Sequence, residues 1–286
     1  MDQADQTDIF KAILDGDAKA VQAILQLRPE QVAARDEYVQ QPLAATADVG
    51  NIEMLEALLA ADADVSGGAS DDPSQRSPLH MAAAEGHLAC VEALIAAGAP
   101  VEARYGDGYT PLMESAAAGR LACLEALLAA GAGTEATVTA SGPTDGRTAL
   151  ILSCADKRHS TLAALLEAGA DVEAADCDGF CALHCAASNG HHKCLASLLV
   201  AGADPATRSD NGQIPLHCAA AKGQLECVRL LFRAAPDLVL ARTGALVGST
   251  PRQHALAANQ HAVALALLKM ELAYKLGKPG QRAAKG

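Results

Sequence analysis

A single pattern recurs along this chain with a nearly constant period, and a chain built this way folds as a row of small units, each packed on its neighbours rather than around one thick centre. SPLHMAAAEGHLACVEALIAAGAPVEA begins at Ser77, TPLMESAAAGRLACLEALLAAGAGTEA at Thr110 and TALILSCADKRHSTLAALLEAGADVEA at Thr148. CALHCAASNGHHKCLASLLVAGADPAT begins at Cys181 and IPLHCAAAKGQLECVRLLFRAAPDLVL at Ile214. These starts lie 33, 38, 33 and 33 residues apart, and weaker copies from Thr7, Gln41 and Thr250 make eight units. Half of the residues are apolar, only 2% are aromatic and Trp is absent. Such a composition suits small side chains between closely packed helices.

Each recurring position has a physical task. Ser or Thr before Pro caps a helix and presets its first φ angle, at Ser77-Pro78, Thr110-Pro111 and Thr250-Pro251. Gly86, Gly119, Gly190 and Gly223 permit a tight turn between two antiparallel helices. Leu94, Leu127, Leu165, Leu198 and Leu230 form the buried stripe of the second helix, which ends at Gly98, Gly131, Gly169 and Gly202. Asp107-Gly108, Asp145-Gly146, Asp178-Gly179 and Asn211-Gly212 supply the hairpin turn into the next unit.

SPLHMAA, ALHCAA and PLHCAA, followed by GH or GQ, an apolar second helix and GAD or GAP, resemble the ankyrin repeat, whose mark is a 33-residue period with TPLHxAA opening the first helix. The resemblance covers roughly residues 7 to 270. It implies an all-α ankyrin-repeat solenoid of about eight helix-turn-helix units joined by hairpin loops, elongated and monomeric. Units start near 7, 41, 77, 110, 148, 181, 214 and 250, with residues 1–270 as the repeat domain and 271–286 as a basic flexible tail. It also implies that His80, His184 and His217 tie adjacent units together by hydrogen bonds. The terminal units read as polar caps and the chain as complete. Three connections, 64–76, 137–147 and 235–249, exceed the period and are read as tolerated insertions or as fingers for a partner. Lys157 stands where neighbouring units have Gly, so the fifth unit is expected to be irregular there.

The formal net charge of −12 repels phosphate backbones and anionic lipid, which argues against nucleic acid and membrane partners. The acidic start MDQADQTD is unlike a signal peptide, and no run approaches the ~18 apolar residues of a membrane span. Nine cysteines, an odd number, read as thiols kept reduced, and the expected location is cytoplasmic or nuclear.

Residues 178 to 204 concentrate Cys181, His184, Cys185, His191, His192 and Cys194, with Cys177 just upstream. Such density suggests a metal site, yet most of these positions recur in phase: Cys194 matches Cys90, Cys123 and Cys227, and His184 matches His80 and His217. Neighbouring helices sit about 8–10 Å apart, too far for phase-equivalent thiols to share a zinc ion or a disulfide. Only Cys177, Cys181 and Cys185 leave open a thiol or metal sensor, and no metal or cofactor is expected.

No GxSxG, GxxxxGK[ST], HExxH or GxGxxG motif occurs, and an open solenoid offers no closed pocket, so the chain is read as no enzyme. What the resemblance implies is a protein-protein interaction module, or an adaptor or assembly chaperone within a ubiquitin ligase or proteasome type of complex. Its binding face lies on the hairpin tips and the exposed side of each first helix. The residues before the cap position are Gln40, Arg76, Tyr109, Arg147, Phe180, Gln213 and Ser249. With Tyr105, and with the acids Asp107, Asp145 and Asp178 bordering them, Arg76, Tyr109, Arg147 and Phe180 are the candidate partner-binding residues. Small positions behind them (Ala84, Ala117, Ala118, Ala155, Ala221) and further acids (Glu85, Asp156) favour a partner segment with apolar anchors and positive charge. The competing reading is that the acids only serve the turns while the arginines cover the aromatics.

Overall fold

The computed structural model describes residues 8–36, 40–66, 75–139, 145–154, 158–244 and 248–277. The Thr7 start, Ala155, Asp156 and Lys157 of the fifth unit, the tail from residue 278, and the middle of each long connection (67–74, 140–144, 245–247) lie outside these residues. The chain divides into two compact units, Met1–Asp145 and Gly146–Gly286.

The first unit holds α1 (Ile9–Leu14), α2 (Ala18–Leu27), α3 (Pro42–Val49), α4 (Ile52–Ala60), α5 (Pro78–Glu85), α6 (Leu88–Ala96), α7 (Pro111–Ala118) and α8 (Leu121–Ala129). The second holds α9 (Ala149–Ser153), α10 (His159–Glu167), α11 (Ala182–Asn189), α12 (His192–Val200), α13 (Pro215–Ala221), α14 (Leu225–Ala234), α15 (Pro251–Ala257) and α16 (His261–Leu276). In each unit the helices form antiparallel pairs, and the first helices pack in one row and the second helices in another. The architecture is all-helical: the described residues contain no β-strand, only isolated bridges at Tyr105–Tyr109 and Ala175–Cys181. No described helix is long and apolar enough to cross a membrane.

Hydroxyl caps start several first helices: Thr110 Oγ1 accepts from Met113 N–H at 3.3 Å and Thr148 Oγ1 from Ile151 N–H at 3.4 Å. At Thr250 the cap is reciprocal, because Gln253 Oε1 accepts from Thr250 N–H at 2.8 Å. Histidine does the work of that Gln in three other helices. Nδ1 of His80, His184 and His217 accepts from the backbone N–H of Ser77, Cys181 and Ile214 at 3.2, 3.4 and 3.3 Å. An amide can only donate, so Nδ1 is bare and Nε2 carries the proton. That proton is donated to a carbonyl of the next hairpin: Tyr109 at 3.0 Å, Gln213 at 3.0 Å and Ser249 at 2.9 Å. One imidazole thus caps its own helix and binds the following repeat.

A second tie runs backwards. In four pairs the residue just before the second helix reaches the last carbonyls of the preceding pair's first helix: His87 to Asp48, Arg120 to Ala84, His191 to Cys154 and Gln224 to Ser188, at 3.0, 2.9, 2.7 and 3.3 Å. The arm crosses a residue with no room for a side chain. At Gly190, with φ of +74°, a Cβ would lie 2.3 Å from Gln224 Oε1. Hairpins stack as closely, since a Cβ on Gly179, at φ +77°, would meet the Asp210 backbone nitrogen at 2.8 Å. Where the repeat lacks its Gly, Asp62 (φ 58°) and Asn259 (φ 60°) adopt the left-handed conformation instead.

The core is a stripe of Leu and Cys. Leu94, Leu127, Leu165 and Leu198 are fully buried, and in the following pair the stripe is continued by Leu231, not by Leu230, because Leu231 is the residue in phase. Two pairs end in a 3-10 turn rather than in Gly-Ala: Pro29–Ala33 and Pro236–Leu240, the latter burying Val239. The long 235–249 connection is thereby partly folded. Helix α16 continues past residue 270 to Leu276, and Glu271 is buried against Arg252, whose Nε lies 3.1 Å from Glu271 Oε1.

Two expectations follow. Leu231→Ala, which opens a cavity in the stripe, should cost about 2–5 kcal/mol in chemical denaturation, whereas Leu230→Ala should cost less than about 1.5 kcal/mol. Burial lowers His80 and His217 from 6.5 to about 4. A group whose folded pKa is depressed contributes stability that is complete above its unfolded pKa and lost as the pH falls through the window between the two values. The unfolding free energy from denaturant titration should therefore hold above pH ~6.5 and drop towards pH ~4, by up to roughly 3 kcal/mol per histidine. His217→Gln keeps the cap chemistry without the titration and should flatten that drop.

Candidate functional site

Five hairpins are closed in the same way, by a pair of residues four or six apart. The N–H of Asp36, Tyr105, Asp176, Ser209 and Thr243 donates to the carbonyl of Gln40, Tyr109, Phe180, Gln213 and Ser249, at 2.9–3.2 Å. In four of them the first side chain also accepts from the second residue's N–H: Asp36, Asp176, Ser209 and Thr243, at 2.8, 2.8, 3.2 and 3.1 Å. Tyr105 is the exception and has no oxygen to offer there. Its ring serves another purpose.

In the first unit Tyr105 joins Arg76, His80, Tyr109 and Glu114 into one cluster. The Tyr105 hydroxyl donates to Glu114 Oε1, and Arg76 donates to the same oxygen at 2.8 Å. The Arg76 guanidinium lies over the Tyr105 ring, 5.1 Å from its centroid. His80 meets that ring edge-on at 4.9 Å, and Tyr109 lies beside it at 5.9 Å. Burial, with the Glu114 hydrogen bond second, pushes the Tyr105 hydroxyl up to about 12. The rings of Tyr105 and Tyr109 are half-buried, while Asp107 at the tip is exposed. Asp145, half-buried, belongs to the end of the same unit.

In the second unit Phe180 is half-buried and meets His184 edge-on at 5.3 Å, so it is less free than an exposed tip residue. Asp178 at the tip is exposed. Arg147 Nε lies 3.8 Å from Asp176 Oδ2, an ion pair too long for a hydrogen bond, and this buried Nε–H finds no acceptor among the described residues. Cation-over-ring packing thus occurs at Arg76, while Arg147 turns to a carboxylate.

Two residues absent from the sequence-based candidates organise these hairpins, one in each unit. Glu114 occupies the column filled elsewhere by Met81, Leu152, Cys185 and Cys218, and an acid in an apolar column was a usable signal. Asp176 was also legible, four residues before Phe180 as Asp36 is before Gln40.

Cys181 is buried at a helix N-cap with its Sγ 3.2 Å from His184 Nδ1, and Cys185 is half-buried. Burial pushes the Cys181 thiol up and Cys185 to about 11, the neutral form, which is a poor nucleophile and a poor metal ligand. Cys177 is exposed. Among the described residues no three His, Cys, Asp or Glu side chains converge as a metal-binding group.

Comparison with known proteins agrees with this architecture. A comparison with curated protein sequences gives no match. Among solved structures, the human ASB11 ankyrin repeat domain superposes with a TM-score of 0.71 at 26% identity, over 81% of this chain and 98% of that one. The ankyrin repeat domain of Bcl-3, a member of the IkappaB protein family, gives a TM-score of 0.67 at 24% identity, over 80% of this chain and 98% of that one, a likeness of fold. The family model described as ankyrin repeats matches residues 44–140, 132–209 and 183–276. With those copies carried on paired helices that His80, His184 and His217 tie together, the chain belongs to the ankyrin-repeat family, whose domains are generally non-catalytic protein-interaction modules.

Proposed function

We propose that this chain is a non-catalytic binding module that takes an extended segment of a partner protein on its hairpin tips and the adjoining first-helix faces. The observation that carries the reading is the cluster around Tyr105: two half-exposed tyrosine rings held in place by Arg76, His80 and Glu114 beside the exposed Asp107. Rings fixed before binding lose little entropy when a partner arrives, and Tyr with Arg is the composition that most often anchors interfaces. Asp145 in the first unit, and Phe180, Arg147 and Asp178 at the equivalent hairpin of the second, carry the same reading in each unit by itself. Exposed Asp107 and Asp178 favour a segment that offers apolar anchors together with positive charge. A reducing compartment, cytoplasmic or nuclear, suits nine free cysteines of which only Cys177 is exposed.

The test is calorimetry with a partner recovered by affinity purification from the native source. Tyr109→Ala and Phe180→Ala should each weaken binding by about 2 kcal/mol, near thirtyfold. Each should also lower stability by about 1 kcal/mol, because Tyr109 packs on Tyr105 and Phe180 on His184. A double variant that is fully folded at the assay temperature and binds as tightly as the parent contradicts the proposed face.

A further inference from the structure

We infer that the groove between α10 and α12 is a second docking site, and that its occupant is an acidic, amphipathic segment of a partner protein. Two cavities open along this helix pair. One, of about 390 Å³, is lined at the helix N-termini by His159, His191, His192 and Lys193. The other, of about 420 Å³, is lined further along by Leu166, Ala163, Ala196 and Val200, with Ser197 and Glu167. His159 Nε2 reaches Ser197 Oγ across the groove at 3.1 Å. Val200 is 90% exposed.

The register of the repeat shows how far this groove departs from its equivalents. His159 and His192 open their helices where α6, α8 and α14 have Leu88, Leu121 and Leu225. Lys193 stands where those helices have Ala89, Ala122 and Glu226, and Val200 where α6 and α8 have Ala96 and Ala129. The polar and the apolar departures fall on the same helix pair. Arg158, just before α10, adds a fixed positive charge. Neither N-terminus is capped by a side chain, so both helix dipoles add to the positive end.

Charge identifies the occupant. In a chain of net charge −12 this end gathers Arg158 and Lys193, with the polar rings of His159, His191 and His192 beside them and His191 holding the Cys154 carbonyl, and among the described residues the acid lining the groove, Glu167, sits at the opposite end. Carboxylates belong at the N-terminal end and apolar side chains over Leu166 and Val200, about 11 Å on, which is about two turns of a helix. All of these residues lie in or just before second helices, and none belongs to the hairpin face.

The probe is a fluorescein-labelled helical peptide with a Glu-rich first turn and a Leu-rich third turn, titrated against the full chain by fluorescence anisotropy. Saturable binding that weakens with salt, falls about tenfold or more in Lys193→Glu and in Val200→Asp, and is unchanged in Tyr109→Ala supports the assignment. Both positions are exposed, and an unchanged melting temperature checks that folding is intact. Absence of saturable binding, binding by either variant as tight as the parent's, or displacement by a single-stranded oligonucleotide as effective as by unlabelled peptide overturns it. Loss of peptide binding in Tyr109→Ala alone overturns it too and moves the peptide to the hairpins.

Discussion

A buried imidazole with both nitrogens engaged is the contact on which this structure turns. A pair of two short helices, such as the eight-residue Pro78–Glu85 and the nine-residue Leu88–Ala96, cannot bury its own apolar face, so each pair depends on its neighbour for a core and for hydrogen bonds. His80, His184 and His217 meet both needs at once: Nδ1 receives the orphan N–H at the start of its helix, and Nε2–H binds the next hairpin's carbonyl. Burial disfavours the charged ring and holds these groups neutral, and protonation would in addition set two N–H groups against each other at Nδ1. The arms of His87, Arg120, His191 and Gln224 work in the reverse direction, closing helix C-termini that would otherwise expose carbonyls.

This division of labour decides which residues are left for recognition. The Leu and Cys stripe is consumed by stacking, and most chemically suggestive side chains are consumed with it: Cys181 sits at an N-cap against His184, and Cys90, Cys123, Cys194 and Cys227 fill one buried column. What the stack does not use are the hairpin side chains and the outer positions of the second helices. Departures from the repeat occur there, in Tyr105 at a hairpin of the first unit and in His159, His192, Lys193 and Val200 on second helices of the second unit. Departure from the repeat is therefore the signal for function, and agreement with it the signal for structure.

Much of the fold was legible because the period itself fixes phase. Helix pairing and the capping residues follow from it, while the bridging role of the three TPLH-type histidines came from the family resemblance. The errors came where phase was misjudged or the chain left it. Leu230 was one residue from the in-phase Leu231. The turns at Pro29–Ala33 and Pro236–Leu240 share Pro, Val, Ala and Arg at matching spacing in PEQVAAR and PDLVLAR, a likeness between distant units that a 33-residue comparison of neighbours misses. For the candidate site, sequence located Tyr105, Tyr109 and Phe180 on hairpins, but not their half-burial. That depends on Glu114 and on the edges of His80 and His184, contacts between units that no single repeat encodes.

The most direct measurement is nitrogen-15 NMR of the histidine side chains. The account predicts that His80, His184 and His217 are neutral at pH ~7 with the proton on Nε2, that Nδ1 shows the shift of a bare acceptor, and that His80 and His217 remain so at pH ~5, while their folded pKa lies near 4. Observation of the Nδ1–H form, or of imidazolium at pH ~6 in the folded protein, would mean that these rings do not bridge the repeats and would contradict the account at its centre.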